Sequence, residues 1–263
     1  MKPANRTFII SGACSGLGLA TARALHAAGA SIALLDLNHV AGEAIVSELG
    51  KDTARFWEVD VSETESITAA IAGAAAWVKE TGRAIGGVVA AAGVGSAAKL
   101  VDGRTGEPVG IEALDFVLNI NLRGTLDLLR QALPHMIKTT PTADGERGVL
   151  ILVSSSAAFD GQPGQVAYAA SKGAIASLTL PLARDLARYG IRAVTIAPSL
   201  FESAMTARLP EKARKSLERV MEFPVRPGKP EEFASLAMQA VENQMLNGTV
   251  IRIDGAMRMP SKM

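Results

Sequence analysis

The chain has 263 residues, 48% hydrophobic and 20% charged, a composition that suits a folded globular protein and excludes wholesale disorder. Its 27 basic and 26 acidic residues leave a net charge of +1, so there is no electrostatic footprint for nucleic acid or an anionic membrane. A single cysteine, Cys14, excludes an internal disulfide framework and a multi-cysteine metal site, and no metal is expected.

Met1 to Arg6 leads straight into Phe8-Ile9-Ile10, with no separate basic region, apolar run and cleavage site. The uncharged runs 7–22 and 84–98 are Gly-rich and shorter than the ~18 apolar residues of a spanning helix. A cytoplasmic location is therefore expected. Short apolar runs then alternate with Ala-rich segments of helical length. The runs are 8–10, 32–35, 56–59, 87–90, 149–153, 194–196 and 249–253. The helical segments between them are 16–28, 39–49, 63–79, 111–137, 165–188 and 231–241. Runs apolar on both faces fit a parallel sheet covered by helices on both sides. The expectation is a single domain over residues 1–263: a Rossmann fold of the α/β class, doubly wound, with right-handed crossovers. Two loops exceed what the fold requires, 93–110 and 199–230. The second leaves a strand's carboxyl end, where ligands bind in open sheets, so it reads as a substrate lid or as a surface insertion.

The first strand runs into Ser11-Gly12-Ala13-Cys14-Ser15-Gly16-Leu17-Gly18 and then a helix. Such a glycine cluster gives a tight turn, a close backbone approach to a pyrophosphate and a helix N-terminus facing it. The competing reading, a tight turn alone, is weakened by its place between strand one and helix one. Asp36 ends the second strand, where a carboxylate can accept both ribose hydroxyls of an adenosine and repel the 2′-phosphate of NADP. No Arg or Lys stands at 13–17 or 37–38 to receive that phosphate, which favours NAD. The alternative for Asp36 is a helix N-cap, a role that Asn38 fills better.

Tyr168 and Lys172 stand four apart in Tyr-Ala-Ala-Ser-Lys, one above the other on a helix face. A neighbouring ammonium lowers a phenol's pKa toward working pH, which would make Tyr168 a usable proton donor or acceptor. Ser155 ends a strand thirteen residues earlier, where its hydroxyl could polarise a carbonyl or alcohol.

With these residues the chain resembles the short-chain dehydrogenase/reductase family over nearly its whole length. The resemblance rests on Gly12-x-x-x-Gly16-x-Gly18, Asp60-Val61, Asn121, Ser155, Tyr168 and Lys172. It implies a seven-stranded parallel sheet in the order 3-2-1-4-5-6-7. It implies Tyr168 as general acid/base, Lys172 on the nicotinamide ribose, Ser155 orienting the substrate oxygen and Asn121 holding a proton-relay water. Contacts to NAD are implied for Gly12, Ser15, Gly16, Leu17, Gly18, Asp36, Asp60, Val61, Ala92, Gly93, Tyr168, Lys172, Pro198, Leu200 and Ser203. The stretches 147–149, 155–159, 161–165, 179–187, 196–198 with 200–201, 209–212, 223–224 and 246–248 through 252–256 are similar to the type-2 3-hydroxyacyl-CoA dehydrogenase subfamily. That resemblance implies oxidation of the 3-hydroxyl of acyl-CoA thioesters with NAD, within fatty acid metabolism. It places Ser155, Gln162, Gln165 and Tyr168 against the substrate, and a homotetramer is common in the family. A dehydrogenase of a free secondary alcohol or hydroxysteroid and a cofactor-binding scaffold remain as alternatives.

Three departures stand out. The family's Asn-x-Ala-Gly is Ala90-Ala91-Ala92-Gly93, which removes a polar brace between central strands. Pro-Gly is Pro198-Ser199. The usual Thr is Ser203, preceded by Glu202, whose carboxylate faces either the nicotinamide or water. Cys14, near a helix N-terminus, is either a redox-sensitive thiol or a small loop side chain. The basic run Lys212, Arg214, Lys215 and Arg219 is either a solvated face or a contact for coenzyme A phosphates.

Overall fold

The computed structural model describes residues 1–95, 98–203, 206, 217 and 220–259. All seven expected runs become strands: β1 (Thr7–Ser11), β2 (Ser31–Asp36), β3 (Ala54–Glu58), β4 (Ile85–Ala90), β5 (Gly148–Val153), β6 (Ile191–Pro198) and β7 (Thr249–Ile253). They form one parallel sheet in the order β3-β2-β1-β4-β5-β6-β7. The chain reverses direction across the sheet between β1 and β4, which opens a crevice at their carboxyl ends.

Strand alternation divides the core into two layers. Phe8 and Ile10 enter the layer beneath α1 (Gly16–Ala27) and α7 (Pro230–Glu242), which pack on each other. Ile9, Val88, Leu150 and Leu152 enter the opposite layer, beneath α3 (Thr64–Thr81), α5 (Thr125–Met136) and α6 (Val166–Leu186). β1, β4, β5 and β6 are buried along their whole length, as strands covered on both faces must be. α2 (His39–Leu49) starts as expected, with the Asn38 side chain accepting from the Ala41 amide at 3.0 Å. Trp77 is fully buried in the second layer with its ring 6.1 Å from that of Trp57.

One expectation differs. The continuous helical segment 111–137 is three pieces: α4 (Ile111–Leu118), a π-helical turn (Asn119–Gly124) and α5. At the wide turn the backbone presses against the exit of β3; a β-carbon on Gly124 would lie 2.5 Å from the Val61 carbonyl. The Thr125 hydroxyl donates to the Asn121 carbonyl at 2.9 Å. Wide turns inside helices often mark functional positions, and this one carries Asn121. Of the basic piece 211–220, only Leu217 and Val220 are described; Lys212, Arg214, Lys215 and Arg219 lie outside the described residues.

Candidate active site

The glycine loop is shaped by sterics. A β-carbon on Gly18 would lie 2.2 Å from the Gly12 carbonyl oxygen, and one on Gly12 would lie 2.8 Å from the Ala92 amide nitrogen. Only glycine lets β1's exit, α1's first turn and β4's exit come this close. Ser15 precedes α1, but no side chain caps that end and no acidic residue lies in its first turn. The helix N-terminus therefore keeps its partial positive charge and its amide donors for an anion, and the loop fits a pyrophosphate. Leu17 turns away, half-buried against the core layer beneath α1. Asp36 is fixed from both sides: Oδ2 accepts from the Cys14 amide at 2.9 Å and Oδ1 from the Asn38 amide at 3.0 Å. It is not the cap of α2. The Cys14 thiol is buried, and burial with the Asp36 charge beside it pushes its pKa up to about 12. That environment disfavours the thiolate, contrary to a redox-sensitive reading. Asp60 sits in a turn after β3 in which Oδ1 accepts from the Ser62 amide at 2.8 Å and the Ser62 hydroxyl at 2.7 Å. Val61 is buried beside it.

The missing asparagine of β4 is covered by other residues. The Ser11 carbonyl accepts from the Ala91 amide at 3.2 Å and its hydroxyl from the Ala92 amide at 3.3 Å. Beyond Gly93, Asn121 clamps Val94. Its Oδ1 accepts from the Val94 amide at 2.8 Å, and its Nδ2 donates to the Val94 carbonyl at 2.9 Å and to the Ser171 hydroxyl at 3.1 Å. Asn121 is wholly buried, so these bonds replace water at every polar side-chain atom. Gly93 lies where Asn121 and Lys172 converge: its β-carbon would meet Asn121 Oδ1 at 3.1 Å and Lys172 Nζ at 3.4 Å.

The structure brings Ser155, Tyr168 and Lys172 together at the carboxyl end of β5. Ser155 leaves the strand with its hydroxyl accepting from the Ala157 amide at 3.1 Å, near enough to Tyr168 to act on its phenol. Lys172 is buried and donates from Nζ to the Val153 carbonyl at 2.9 Å, with Nζ 5.9 Å from the Tyr168 ring centre. Burial lowers the Lys172 pKa to about 8. The expectation for Tyr168 is reversed here. Its pKa is raised because burial disfavours the phenolate, with the neighbouring Ser155 hydroxyl acting in the opposite direction. The ammonium is aimed at a backbone carbonyl, and spacing on a helix face says nothing of that competition.

The remaining expected residues are placed as follows. Ser203 meets the glycine loop: a β-carbon on Gly16 would lie 3.3 Å from Ser203 Cβ. Pro198 ends β6, and Leu200 is buried in a small apolar cluster with Leu217, Met221 and Met257. The Leu200 side chain thus faces that cluster, and only its backbone is free to border a cofactor. The segment after β6 is tied at its base, where Gly228 N–H donates to the Leu200 carbonyl and Glu202 N–H to the Gly228 carbonyl, both at 2.9 Å. Glu202 is exposed and its charge acts on Arg226, in accord with the reading that faces it to water. Gln162 is buried, and its amide donates to Gln165 Oε1 at 3.1 Å. The Gln165 side chain therefore folds back over the turn that starts α6.

Sequence reasoning missed the residues that hold these groups. The Ser154 hydroxyl donates to the Lys172 carbonyl at 2.7 Å and fastens α6 to β5. The Ser171 hydroxyl donates to the Tyr168 carbonyl at 2.8 Å while accepting from Asn121. The signal was faint: each is a serine adjacent to a residue already singled out. Among the described residues no group of three or more His, Cys, Asp or Glu side chains could hold a metal, and no helix is long and apolar enough to cross a membrane.

Comparison with known proteins agrees with this geometry. Residues 6–214 match the family model for short chain dehydrogenases. The chain is 43% identical over 255 residues to a Drosophila melanogaster protein named 3-hydroxyacyl-CoA dehydrogenase type-2, covering 97% of this chain and 98% of the relative. A crystal structure of 3-hydroxyacyl-CoA dehydrogenase type-2 from Mycobacterium avium superposes with a TM-score of 0.91 at 35% identity, covering 100% of both chains. A Brucella melitensis 3-ketoacyl-(acyl-carrier-protein) reductase, solved as a complex with NADH, has a TM-score of 0.82 at 27% identity, covering 98% of this chain and 100% of its own. With its sheet order, glycine loop and Ser155–Tyr168–Lys172 cluster, the chain belongs to the short-chain dehydrogenase family of oxidoreductases.

Proposed function

We propose that this protein is an NAD-dependent dehydrogenase acting reversibly on the 3-hydroxyl of 3-hydroxyacyl-CoA thioesters. The observation that carries the reaction type is the convergence of Ser155 and Tyr168 beside the buried Lys172, whose Nζ lies 5.9 Å from the Tyr168 ring centre. The substrate class is supported by the similarity to proteins named for that activity. NAD, when bound, supplies the hydride acceptor at its nicotinamide ring. Gly12, Ser15, Gly16, Gly18 and Ser203 would hold its pyrophosphate and nicotinamide half, with Ala92, Gly93, Pro198 and the Leu200 backbone bordering it. Asp36, Asp60 and Val61 would hold the adenosine. The fixed Asp36 carboxylate supports NAD over NADP, since a 2′-phosphate would meet like charge.

Ser155 donates a hydrogen bond to the substrate oxygen and holds it at Tyr168 Oη. In oxidation the phenolate oxygen of Tyr168 takes the hydroxyl proton as the hydride leaves the same carbon; in reduction the phenol returns it. Burial makes that phenolate a stronger base and favours the phenol, the form that returns the proton in reduction. Lys172, titrating at about 8, can carry a proton at Nζ close to the working range. Asn121 holds Val94 and Ser171, and through them the floor under Tyr168 and Lys172.

We further propose a homotetramer in which Ile111, Phe116 and Leu126 on α4 and α5, 60%, 55% and 42% exposed, meet a second copy. The free, buried thiol of Cys14 is in keeping with a reducing, cytoplasmic compartment. The test is the initial rate of NADH formation with short, medium and branched 3-hydroxyacyl-CoAs, their free acids and a hydroxysteroid, with NADP in parallel. Turnover confined to thioesters with NAD is expected. Turnover of free alcohols with inert thioesters would overturn the substrate assignment.

A further inference from the structure

Arg252 stands on the edge strand β7, away from both core layers, and its guanidinium joins three segments. Nε donates to Asp254 Oδ2 at 2.7 Å. Nη2 donates to Asp160 Oδ2 at 2.5 Å and to the Met257 carbonyl at 3.3 Å. The guanidinium also lies over the Phe159 ring, 5.2 Å from its centre. Arg258 adds a second cation, 3.0 Å from Asp254 and 4.0 Å from Asp160.

These partners belong to two segments, the loop between Ser155 and α6 and the chain that follows β7. Asp160 lies in the loop that leaves Ser155 and re-enters the chain at α6 just before Tyr168. Its amide donates to the Ser156 carbonyl at 2.9 Å, which closes a turn between Ser156 and Asp160. The segment after β7 packs against the chain that follows β6. The Gly255 carbonyl accepts from the Glu222 and Phe223 amides at 3.2 and 3.4 Å, and Met257 is buried with Met221 and Leu200. Leu200 in turn begins the segment that brings Ser203 to the glycine loop. Within the fold, the Asp160–Arg252–Asp254 link thus ties the loop carrying Ser155 to the segment that follows β6.

We propose that Arg252 is a positioning residue that sets the width of the substrate cleft by holding the Asp160 loop and the segment 254–259 together. The inference rests on the dehydrogenase reading and deepens it by naming what fixes the pocket. Two carboxylates share one planar cation, with Arg252 23% exposed and Asp160 and Asp254 19% and 11%. Without Arg252 they face each other with, among the described residues, Arg258, 62% exposed, to screen them. The loop then relaxes outward. Lysine is one point charge and cannot reach both carboxylates in a fixed fork.

The experiment compares the unaltered protein with Arg252→Met, Arg252→Lys, Asp160→Asn and the double variant Arg252→Met/Asp160→Asn. Steady-state kinetics are run on the best alcohol substrate of the unaltered protein, with NADH binding followed by fluorescence and folding by thermal melts. Arg252→Met is expected to raise the substrate KM about tenfold, with kcat and the NADH Kd unchanged within about twofold. Arg252→Lys should fall between it and the unaltered protein. Asp160→Asn should raise KM by itself, and the double variant should be no worse than Arg252→Met, because both break one link. Should Arg252→Met fail to fold, Asp160→Asn carries the test, since it leaves the Arg252–Asp254 pair in place. A lower melting temperature with unchanged KM in the folded variants would overturn the proposal, as would additive effects in the double variant. An unaltered protein that binds NADH yet oxidises no alcohol in the panel would overturn the dehydrogenase reading and this proposal with it; an active one with an unmoved KM in the variants would overturn this proposal alone.

Discussion

Two neighbouring regions of the cleft are held by different means. From Ser11 to Gly18 the geometry depends on absent side chains: backbone packs on backbone, with Gly18 against the Gly12 carbonyl and Gly12 against Ala92. From Ser154 to Lys172 it depends on side chains that spend their hydrogen bonds on backbone amides and carbonyls. On the proposed reading the first region, with its amide dipoles, binds the cofactor, and the second, with a hydroxyl, a phenol and an amine, carries the reaction. The difference predicts how each fails. Damage to the glycine loop should remove binding, whereas damage around Tyr168 should leave binding and remove turnover.

Among the changes to the binding loop and the framework of the site, the largest expected effect comes from Gly18→Val. Its β-carbon would sit 2.2 Å from the Gly12 oxygen, and the backbone has nowhere to retreat. Overpacking of this kind costs about 3 kcal/mol, which on the affinity scale is about a hundredfold in the NADH Kd. A fluorescence titration checks it, with circular dichroism to follow folding.

Asn121→Ala should be next. It strips partners from the Val94 amide and carbonyl and from Ser171, all at a buried position. A loss of about 2 kcal/mol in unfolding free energy is expected from denaturant titration. Turnover should fall with it, because Ser171 also holds the Tyr168 carbonyl. A variant with normal turnover and normal stability would separate the floor of the site from its chemistry.

Asp36→Ala should act on the binding half alone. The preference for NAD over NADP in kcat/KM is expected to drop about tenfold, while kcat with NAD changes little. A loss of kcat instead would mean that Asp36 acts through Cys14 and the loop backbone rather than on the ribose.

The gentlest probe is pH. Lys172 is held at about 8, below its ordinary value of 10.5, by burial. As pH rises through 8 the folded protein gives up this proton before the unfolded chain does. Stability should therefore increase with pH from about 8 to 10.5 on this group's account and carry a constant penalty below 8. Oxidation kcat/KM should climb across the same lower limb as the neutral amine becomes available. The Lys172→Met variant should lose that limb in both readouts.

Much of this arrangement was legible in the sequence. Glycine at 12, 16 and 18 between a strand and a helix has few other uses, and the Tyr168–Lys172 spacing places both on one helix face. The seven strands were legible because buried parallel strands are apolar without alternation. What the sequence hid depends on three-dimensional neighbours. The π-helical turn at Asn119–Gly124 leaves the apolar pattern of 111–137 intact, so periodicity could not reveal it. The direction of the Tyr168 shift is set by burial and by the Val153 carbonyl that engages Lys172. The Arg252–Asp160 pair joins residues 92 positions apart. Short-range spacing carries no trace of it.

The division between a binding half and a reacting half is tested most directly by Tyr168→Phe. The measurement pairs an NADH fluorescence titration with turnover of a short 3-hydroxyacyl-CoA at saturating NAD. The account predicts a fall in kcat of about a thousandfold, with the NADH Kd within about threefold of the unaltered protein. Retained turnover, or turnover and NADH affinity lost together, would contradict it.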